Sequence, residues 1–279
     1  MSGLPFLKMH GLGNDFVVVD ARAQKVALDT TRVRAIADRH KGVGFDQLVV
    51  LEQPADRSAD VFFRFLNADG SEAGACGNGT RCVADFVMRE KNADALTIQT
   101  RAGLLKSRRD EAGIVSVDMG PARTDWREIP LAEACDTLHV PLAVGPLADP
   151  VATSMGNPHA TFFVPDAGAV DLAVLGPQLE HHRMFPERAN IGVAQILDPA
   201  TLRLRVWERG AGITLACGSG ACAATVAAVR RGLLAGRRAR VIVDGGADGG
   251  GSLDIEWRAD GHVLMAGPVA LSFSGVWPG

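Results

Sequence analysis

The stretch WERGAGITLACGSGACAATV, residues 207–226, decides the architecture that the sequence predicts. A short apolar run over 213–216 leads into Cys217, and the Gly-Ser-Gly triplet at 218–220 then opens a helix made almost wholly of Ala, Val and Thr. A helix that is apolar on every side belongs in a protein core. Cys217 would stand at its N-terminus, where unpaired backbone N–H groups and the positive end of the helix dipole favour a thiolate. The segment therefore predicts a reactive thiol at the end of a buried helix.

The same arrangement occurs earlier, in the stretch RFLNADGSEAGACGNGTRC at residues 64–82. Its Cys-Gly-Asn-Gly at 76–79 parallels the Cys-Gly-Ser-Gly at 217–220, and a helical pattern follows both. Polar residues also precede the two cysteines in the same order and at similar distances: Asn14, Gln47 and Asn67 before Cys76, and Asn157, Asn190 and Glu208 before Cys217. The ordered recurrence of four features indicates two halves of similar build.

The number of strands and the two buried helices predict an α+β fold with two pseudo-repeated halves. Each half would be a curved mixed sheet wrapped round a central helix, with the active site in the cleft between the halves. We predict an N-terminal half formed by residues 1–121 and 267–279, which carries Cys76. The C-terminal half would comprise residues 122–266 and carry Cys217.

Several local elements follow from capping, charge and glycine patterns. Thr30 or Thr31 would cap a helix that runs to about His40, and a strand would lie near Leu138. The charged, irregular stretch 122–134 predicts a linker. The glycines of 245–251 predict a surface turn. They do not predict a phosphate-binding loop, because no Lys-Ser/Thr follows them.

Composition limits the classes of function. With 279 residues, 47% of them hydrophobic, and a net charge of −3, the chain can bury a sizeable core and has no basic surface for nucleic acid. Its five cysteines are odd in number and too sparse for a secreted disulfide framework. The N-terminal residues lack the apolar core of a signal peptide, and no apolar run approaches membrane-spanning length. We therefore expect a cytoplasmic protein without membrane or nucleic-acid partners.

The remaining cysteines and histidines are weaker candidates for chemistry. Cys82 and Cys222 fall on buried helix faces and are predicted to be small core residues, and Cys135 is an incidental thiol. His159 stands two residues from Asn157, which the repeat already marks, and is a candidate site residue. No paired cysteines accompany the adjacent histidines at 181–182, so we predict no metal site.

Two helix-terminal cysteines are compatible with three kinds of chemistry. They could form a structural or redox disulfide, although a redox pair usually has a nearby resolving cysteine. One could be a nucleophile with His159 as its base, which leaves the second cysteine loop unexplained. In a two-base racemisation, one thiolate removes a proton from a carbon and the opposite thiol protonates the other face. The duplicated loop favours this third interpretation.

Long motifs in the chain resemble those of the diaminopimelate epimerase family: MHGLGNDF at 9–16, NADGSEAGACGNGTRC at 67–82, GNPH at 156–159, FPERAN at 185–190 and ERGAGITLACGSGA at 208–221. The resemblance covers the whole chain. It implies a cofactor-independent enzyme that interconverts LL- and meso-diaminopimelate in bacterial lysine and peptidoglycan synthesis. Cys76 would be the proton donor and Cys217 the acceptor in the LL to meso direction.

The resemblance also assigns the rest of the site. The family's substrate-binding positions fall on Asn14, Gln47, Asn67, Gly77, Asn78, Asn157, Asn190, Glu208, Arg209, Gly218 and Ser219. His159 and Glu208 match positions that tune the cysteine pKa values. The family is usually a homodimer with an aromatic residue at the interface, and that position is Phe273 here rather than Tyr.

Two alternatives stay open. One is another cofactor-independent amino-acid isomerase of the same fold, such as a proline racemase-like enzyme. Arg209 and the several amides argue for a substrate with a second charged end. The other is a thiol-dependent binding or redox module, which would not racemise an amino acid.

Overall fold

The computed structural model describes residues 3–74, 76–245 and 251–278. The chain divides into two compact units. One contains the described residues up to Asp118 and those from Gly267 onward, and the other contains Met119–Ala266. No helix within the described ranges is long and apolar enough to cross a membrane.

From the N-terminus the chain forms β1 (Leu4–Gly11), β2 (Asn14–Asp20), α1 (Thr30–Ala37), β3 (Gln47–Glu52), β4 (Val61–Asn67), β5 (Glu72–Ala73), α2 (Gly77–Lys91), β6 (Ala95–Thr100), β7 (Gly103–Arg109) and β8 (Val115–Pro121). It continues with β9 (Ala143–Val144), β10 (Leu147–Ala148), β11 (Val151–Ser154), β12 (Pro158–Phe163), α3 (Leu172–Glu180), β13 (Asn190–Asp198), β14 (Thr201–Glu208), β15 (Gly212–Thr214), α4 (Gly218–Arg230), β16 (Arg238–Val243), β17 (Gly251–Trp257), β18 (His262–Gly267) and β19 (Ala270–Trp277). Strands far outnumber helices, as the α+β prediction requires.

The two units have the same strand topology. In the first, β1 and β2 are antiparallel, β2 and β3 are parallel, and β3 and β4 are antiparallel. β4 is then parallel to β6, which is antiparallel to β7. The second unit repeats this sequence of directions through β11, β12, β13, β14, β16 and β17. The internal repeat predicted from the two cysteine motifs is therefore confirmed at the level of topology.

Each unit buries one of the two cysteine helices. On α2, Val83, Val87 and Met88 are completely buried among the strand side chains of the first unit. On α4, every residue over 220–228 is buried, which confirms the prediction of a core helix. Cys82 and Cys222 are both fully buried, as predicted. The helix N-termini are consequently fixed by the packing of each core.

The last strand, β19, pairs antiparallel with β1, so the C-terminal residues complete the first unit's sheet. This return to the first half was predicted, and the strand runs from Ala270 to Trp277. Ladder hydrogen bonds to β1 continue as far as the pairing of Leu4 with Trp277.

Three local predictions are wrong. Helix α1 is capped by Asp29, whose carboxylate accepts a hydrogen bond from the Arg32 N–H at 2.8 Å, and neither threonine is the cap. It ends at Ala37 rather than near residue 40, because the Asp38 carboxylate accepts hydrogen bonds from the N–H groups of His40 and Lys41 and starts a turn. No strand forms at Leu138, whose N–H donates instead to the carboxylate of Asp136 in a local turn.

The stretch 122–134 is not a linker. Ile129 is completely buried and Leu131 nearly so, and both belong to the core of the second unit. The backbone N–H of Leu131 donates to the Trp126 carbonyl at 2.9 Å, which folds the segment onto itself. Its charges had suggested exposure, but the apolar side chains between them decide its position. Of the predicted glycine turn at 245–251, residues 246–250 lie outside the described residues.

Candidate active site

Cys217 is the N-cap residue of α4. Its Sγ accepts a hydrogen bond from the Gly220 N–H at 3.3 Å and lies 3.6 Å from the Ser219 hydroxyl. A Cβ at position 220 would lie 3.2 Å from this sulfur, so glycine lets the backbone N–H approach the thiol. The geometry is the helix-terminal thiol that the sequence predicts.

The charge state of Cys217 differs from the prediction. Burial raises the pKa of the Cys217 thiol well above its ordinary value, and the negative charge of Glu208 raises it further. Hydrogen bonds from Ser219 and Gly220 oppose this pKa shift but do not overcome it. Burial and the charge of Glu208 therefore outweigh the two hydrogen bonds at the helix terminus, and the protonated thiol of Cys217 is favoured over the expected thiolate.

Glu208 lies at the end of β14, where the chain turns into β15. Its backbone pairs with Gly212 across this hairpin, and its carboxylate accepts a hydrogen bond from the Thr214 hydroxyl at 2.5 Å. This places a carboxylate beside Cys217, where it acts on the thiol pKa in the direction just described.

His159 lies in β12 and is almost completely buried. Its Nε2 is 3.1 Å from the Asn157 side-chain oxygen, and the Asn157 amide nitrogen donates to the Ser219 hydroxyl at 3.4 Å. Burial, with a smaller contribution from Arg209, lowers the pKa of His159 to about 3. The neutral His159 ring donates its Nε2–H to the Asn157 side-chain oxygen, so Nε2 has no lone pair with which to accept a proton. The arrangement disfavours the interpretation in which His159 is the base for a nucleophilic cysteine.

Asn190 joins two loops of the second unit. Its side-chain oxygen accepts from the Arg209 backbone N–H at 3.0 Å, and its amide nitrogen donates to the Pro158 carbonyl at 3.0 Å. Arg209 also donates from its guanidinium to the Glu187 carbonyl at 2.9 Å. The structure thus brings together, within this unit, all of the predicted residues that belong to it: Asn157, His159, Asn190, Glu208, Arg209, Cys217, Gly218 and Ser219.

Cys76 is the N-cap residue of α2, and its Sγ accepts from the Gly79 N–H at 3.5 Å. This is the same contact that Cys217 makes with the glycine three residues later. A Cβ at position 79 would lie 3.0 Å from the Phe65 ring and 3.1 Å from the Phe16 ring, so this position also requires glycine. The two CGxG motifs therefore build one local geometry twice.

The predicted amides of the first unit form two pairs near this helix. Asn78 donates to the Asn14 side-chain oxygen at 3.2 Å, and Asn14 donates to the Asp46 carboxylate at 2.8 Å. Gln47 donates to the Asn67 side-chain oxygen at 2.9 Å, because β3 and β4 set these two residues opposite each other. Gly77 is the first residue of α2 and follows Cys76 directly.

Sequence reasoning missed the charged residues behind Asn14. Lys8 and Arg39 both pair with Asp15, and Arg39 also pairs with Asp46 at 2.8 Å. These contacts hold the pKa of Asp15 at about 2, against the opposing effect of its burial. Asp15 follows Asn14 and Asp46 precedes Gln47 in the sequence. Their position next to predicted site amides could have indicated that they belong to the site. Thr214 beside Glu208 was missed for lack of any comparable signal.

Phe273 lies on β19 and is half exposed. Its ring contacts Phe6 edge-to-face, with centroids 6.1 Å apart and an interplanar angle of 82°. Leu271 on the same strand is 57% exposed. The interface role of Phe273 stays a prediction.

The fold is shared with solved structures of low sequence identity. A hydroxyproline epimerase from Agrobacterium vitis aligns over 99% of this chain and 91% of its own, with a TM-score of 0.69 and 15% identity. A phenazine biosynthesis protein of the PhzF family from Bacillus anthracis covers 99% of both chains, with a TM-score of 0.66 and 17% identity. The molecule thus has the duplicated α+β fold of these proteins.

Closer relatives identify the family. The family model described as diaminopimelate epimerase matches residues 6–124 and 151–272. A diaminopimelate epimerase from Rhodospirillum centenum is 62% identical over 97% of this chain and 91% of its own length. Another from Acidiphilium cryptum is 59% identical over 97% of this chain and 95% of its own. The chain belongs to the diaminopimelate epimerase family and is an isomerase.

Proposed function

We propose that this protein interconverts LL- and meso-diaminopimelate by proton transfer at one α-carbon, as a step in lysine and peptidoglycan precursor synthesis. The observation that carries the proposal is the pair of N-cap cysteines, each accepting a hydrogen bond from the N–H of the glycine three residues later. Two equivalent thiols are what a two-base epimerisation needs. The relatives that are 62% and 59% identical and carry this activity in their names support the same substrate.

In the LL to meso direction, the Cys217 thiolate takes the α-proton and the Cys76 thiol gives its own proton to the opposite face. The reaction requires both thiols to reach the same α-carbon. Negative charge that develops on the substrate carboxylate would be stabilised by the backbone N–H groups that begin α2 and α4, including those of Gly77, Asn78, Gly218 and Ser219. The reverse direction exchanges the roles of the two cysteines.

The raised pKa of Cys217 indicates when the thiol becomes a base. Burial is the main cause of this raised pKa, the negative charge of Glu208 adds to it, and the substrate brings a positively charged ammonium group. When the ammonium pairs with Glu208, the part of the pKa shift that comes from like-charge repulsion is cancelled. Cys217 would then lose its proton to solvent more readily with substrate present. Binding and activation are coupled in this scheme.

The remaining polar residues would recognise the rest of the substrate. Arg209 suits a carboxylate at the far end, and the amides of the two units suit its second ammonium and carboxylate groups. These amides are Asn14, Gln47, Asn67, Asn157 and Asn190. Each already has at least one partner in the protein that orients it.

We also propose a cytoplasmic homodimer. The substrate is a small metabolite of a biosynthetic route, which fits that compartment. Phe273, Leu271 and Val276 are exposed apolar side chains on β19, and a strand with such residues suits contact with a second copy. Light scattering on the eluted peak of a sizing column would measure the mass, and Phe273→Asp should shift it towards that of the monomer.

A second candidate is epimerisation of another amino acid, favoured by the fold shared with the hydroxyproline epimerase. One experiment separates the two. Purified protein is incubated with LL-diaminopimelate, or with proline or hydroxyproline, under reducing conditions and without added cofactor, and the isomers are resolved by chiral chromatography. We expect conversion of diaminopimelate alone. Conversion of the proline substrates instead would refute the proposed substrate.

A further inference from the structure

A buried carboxylate outside the predicted site contacts both ends of the segment that carries Glu208 and Arg209. Glu180, the last residue of α3, has a side chain that is only 5% exposed. Its Oε2 accepts from the Trp207 indole N–H at 2.7 Å, and its Oε1 accepts from the Gly210 backbone N–H at 3.0 Å. One side chain thus binds the residue before Glu208 and the residue after Arg209.

The carboxylate is well satisfied for a group so far from water. Arg188 adds a third donor at 3.3 Å, which pairs the charge with a cation. A buried carboxylate without such partners is strongly destabilising, so the donors and the acid must be kept together. The cluster consequently ties three pieces of chain to one another: the end of α3, the loop at 188, and the turn after β14.

The segment around Glu208 is fixed on both sides. The Trp207 ring lies against α3, where a Cβ on Gly176 would come within 2.4 Å of it. Asn190 holds the Arg209 N–H at 3.0 Å, and Glu180 holds the next N–H along the chain. Consecutive backbone donors at 209 and 210 are therefore bound by side chains from two different elements.

We propose that Glu180 is a positioning residue for the substrate-binding segment: its two oxygens anchor residues 207 and 210, so that Glu208 and Arg209 are presented in one arrangement. The inference rests on the proposed function only for the roles of Glu208 and Arg209. It assigns to Glu180 no contact with the substrate.

Glu180→Gln tests the proposal with a minimal change of shape. Both carboxylate oxygens accept hydrogen bonds, whereas an amide has one acceptor, so either the Trp207 or the Gly210 contact is lost. Loosening a segment that binds substrate in the ground state should raise KM for LL-diaminopimelate about tenfold and change kcat less than about threefold. Glu256→Gln is the matched control, because Glu256 pairs with Arg238 at 2.7 Å across β16 and β17, away from the segment 207–210. It should keep the wild-type constants.

A second measurement does not depend on activity. The Arg209–Gly210 bond is a trypsin site at an exposed turn. If Glu180 anchors that turn, cleavage after Arg209, followed by mass spectrometry of the fragment that begins at residue 210, should be about tenfold faster in Glu180→Gln than in wild type or Glu256→Gln. Trp207→Phe keeps a ring against α3 but removes one donor, and should give a smaller acceleration and a smaller rise in KM.

Three results would overturn the inference. The first is a folded Glu180→Gln protein with wild-type KM and wild-type cleavage after Arg209. The second is a protein that loses kcat and stability without faster cleavage at that bond, which indicates a structural role only. The third result applies if Glu180→Gln does not fold. In that case a Trp207→Phe protein with wild-type KM and wild-type cleavage after Arg209 would overturn the inference. Should wild type fail to convert LL-diaminopimelate, the proposed function fails, and the cleavage comparison still decides whether Glu180 holds the segment.

Discussion

The Thr214 hydroxyl donates a 2.5 Å hydrogen bond to the Glu208 carboxylate, and that carboxylate raises the pKa of the Cys217 thiol. Beside the larger effect of burial, the hairpin of β14 and β15 thus lowers the acidity of a cysteine that follows it in the chain. An acid and a thiol that are nine positions apart in sequence become one electrostatic unit. The protonation state of Cys217 consequently depends on what else binds Glu208.

Glu208→Gln should make Cys217 more acidic. The glutamate raises the thiol pKa, so removing its charge lowers that pKa, and alkylation by iodoacetamide should set in at lower pH than in wild type. The rate at Cys217 is read by peptide mass spectrometry, which separates it from the other cysteines. Activity should fall about 10- to 100-fold, because a charged contact to the substrate is lost.

Thr214→Val keeps the charge of Glu208 and removes a hydrogen bond that offsets part of that charge. It should therefore shift the alkylation profile of Cys217 in the opposite direction, to higher pH, and by less. Thr97→Val in the other unit is the control and should leave the profile unchanged. A shift of the Cys217 profile to higher pH in Glu208→Gln would contradict the electrostatic account.

Replacing either Cys76 or Cys217 by Ala should reduce epimerisation by at least ~10²–10⁴-fold, the usual contribution of a general acid or base. Each variant removes the proton carrier on one face of the α-carbon. Cys135→Ala should keep near-normal turnover, because Cys135 packs against the core of the second unit apart from the predicted site residues. Near-normal turnover in Cys76→Ala or Cys217→Ala would refute the two-base mechanism.

Reaction in D₂O distinguishes two thiols from one. With two, the proton that enters comes from a cysteine that equilibrated with solvent before the substrate was bound. Product formed early from LL-diaminopimelate should therefore carry deuterium at the inverted carbon, while unreacted substrate stays largely unlabelled. Proton NMR of early product measures this directly. Retention of protium at that carbon would indicate a single base that serves both faces, even if both cysteines proved essential.

Ile129→Ala should lower the free energy of unfolding by about 2–5 kcal/mol, the cost of emptying a fully buried site. Ile129 is completely buried although it lies in a stretch whose charges predict a linker. Urea denaturation compares it with Glu133→Ala, an exposed change in the same stretch that should stay within about 0.5 kcal/mol of wild type. Equal stabilities of the two variants would restore the linker interpretation.

The sequence by itself determined the duplicated topology and the two thiol-bearing helix ends. Both depend on local chemistry: an N-cap and a glycine three residues later need only neighbouring backbone, so CGxG predicts the same hydrogen bond at Cys76 and at Cys217. The helix after Cys217 is apolar on every side, and this likewise predicted that it would be buried. Motifs that repeat in order indicated which amides accompany each cysteine.

Only the tertiary structure decided the pKa values of the site residues and which residues outside the site hold them in place. Desolvation depends on every element packed around a group, so the raised pKa of Cys217 and the lowered pKa of His159 cannot be derived from neighbours in sequence. For the same reason Ile129 lies in the core while its charged neighbours predict exposure. Glu180 is 28 residues from Glu208 in sequence and reaches its segment only because α3 packs beside β14. Long-range packing brings such groups together, and no local pattern records it.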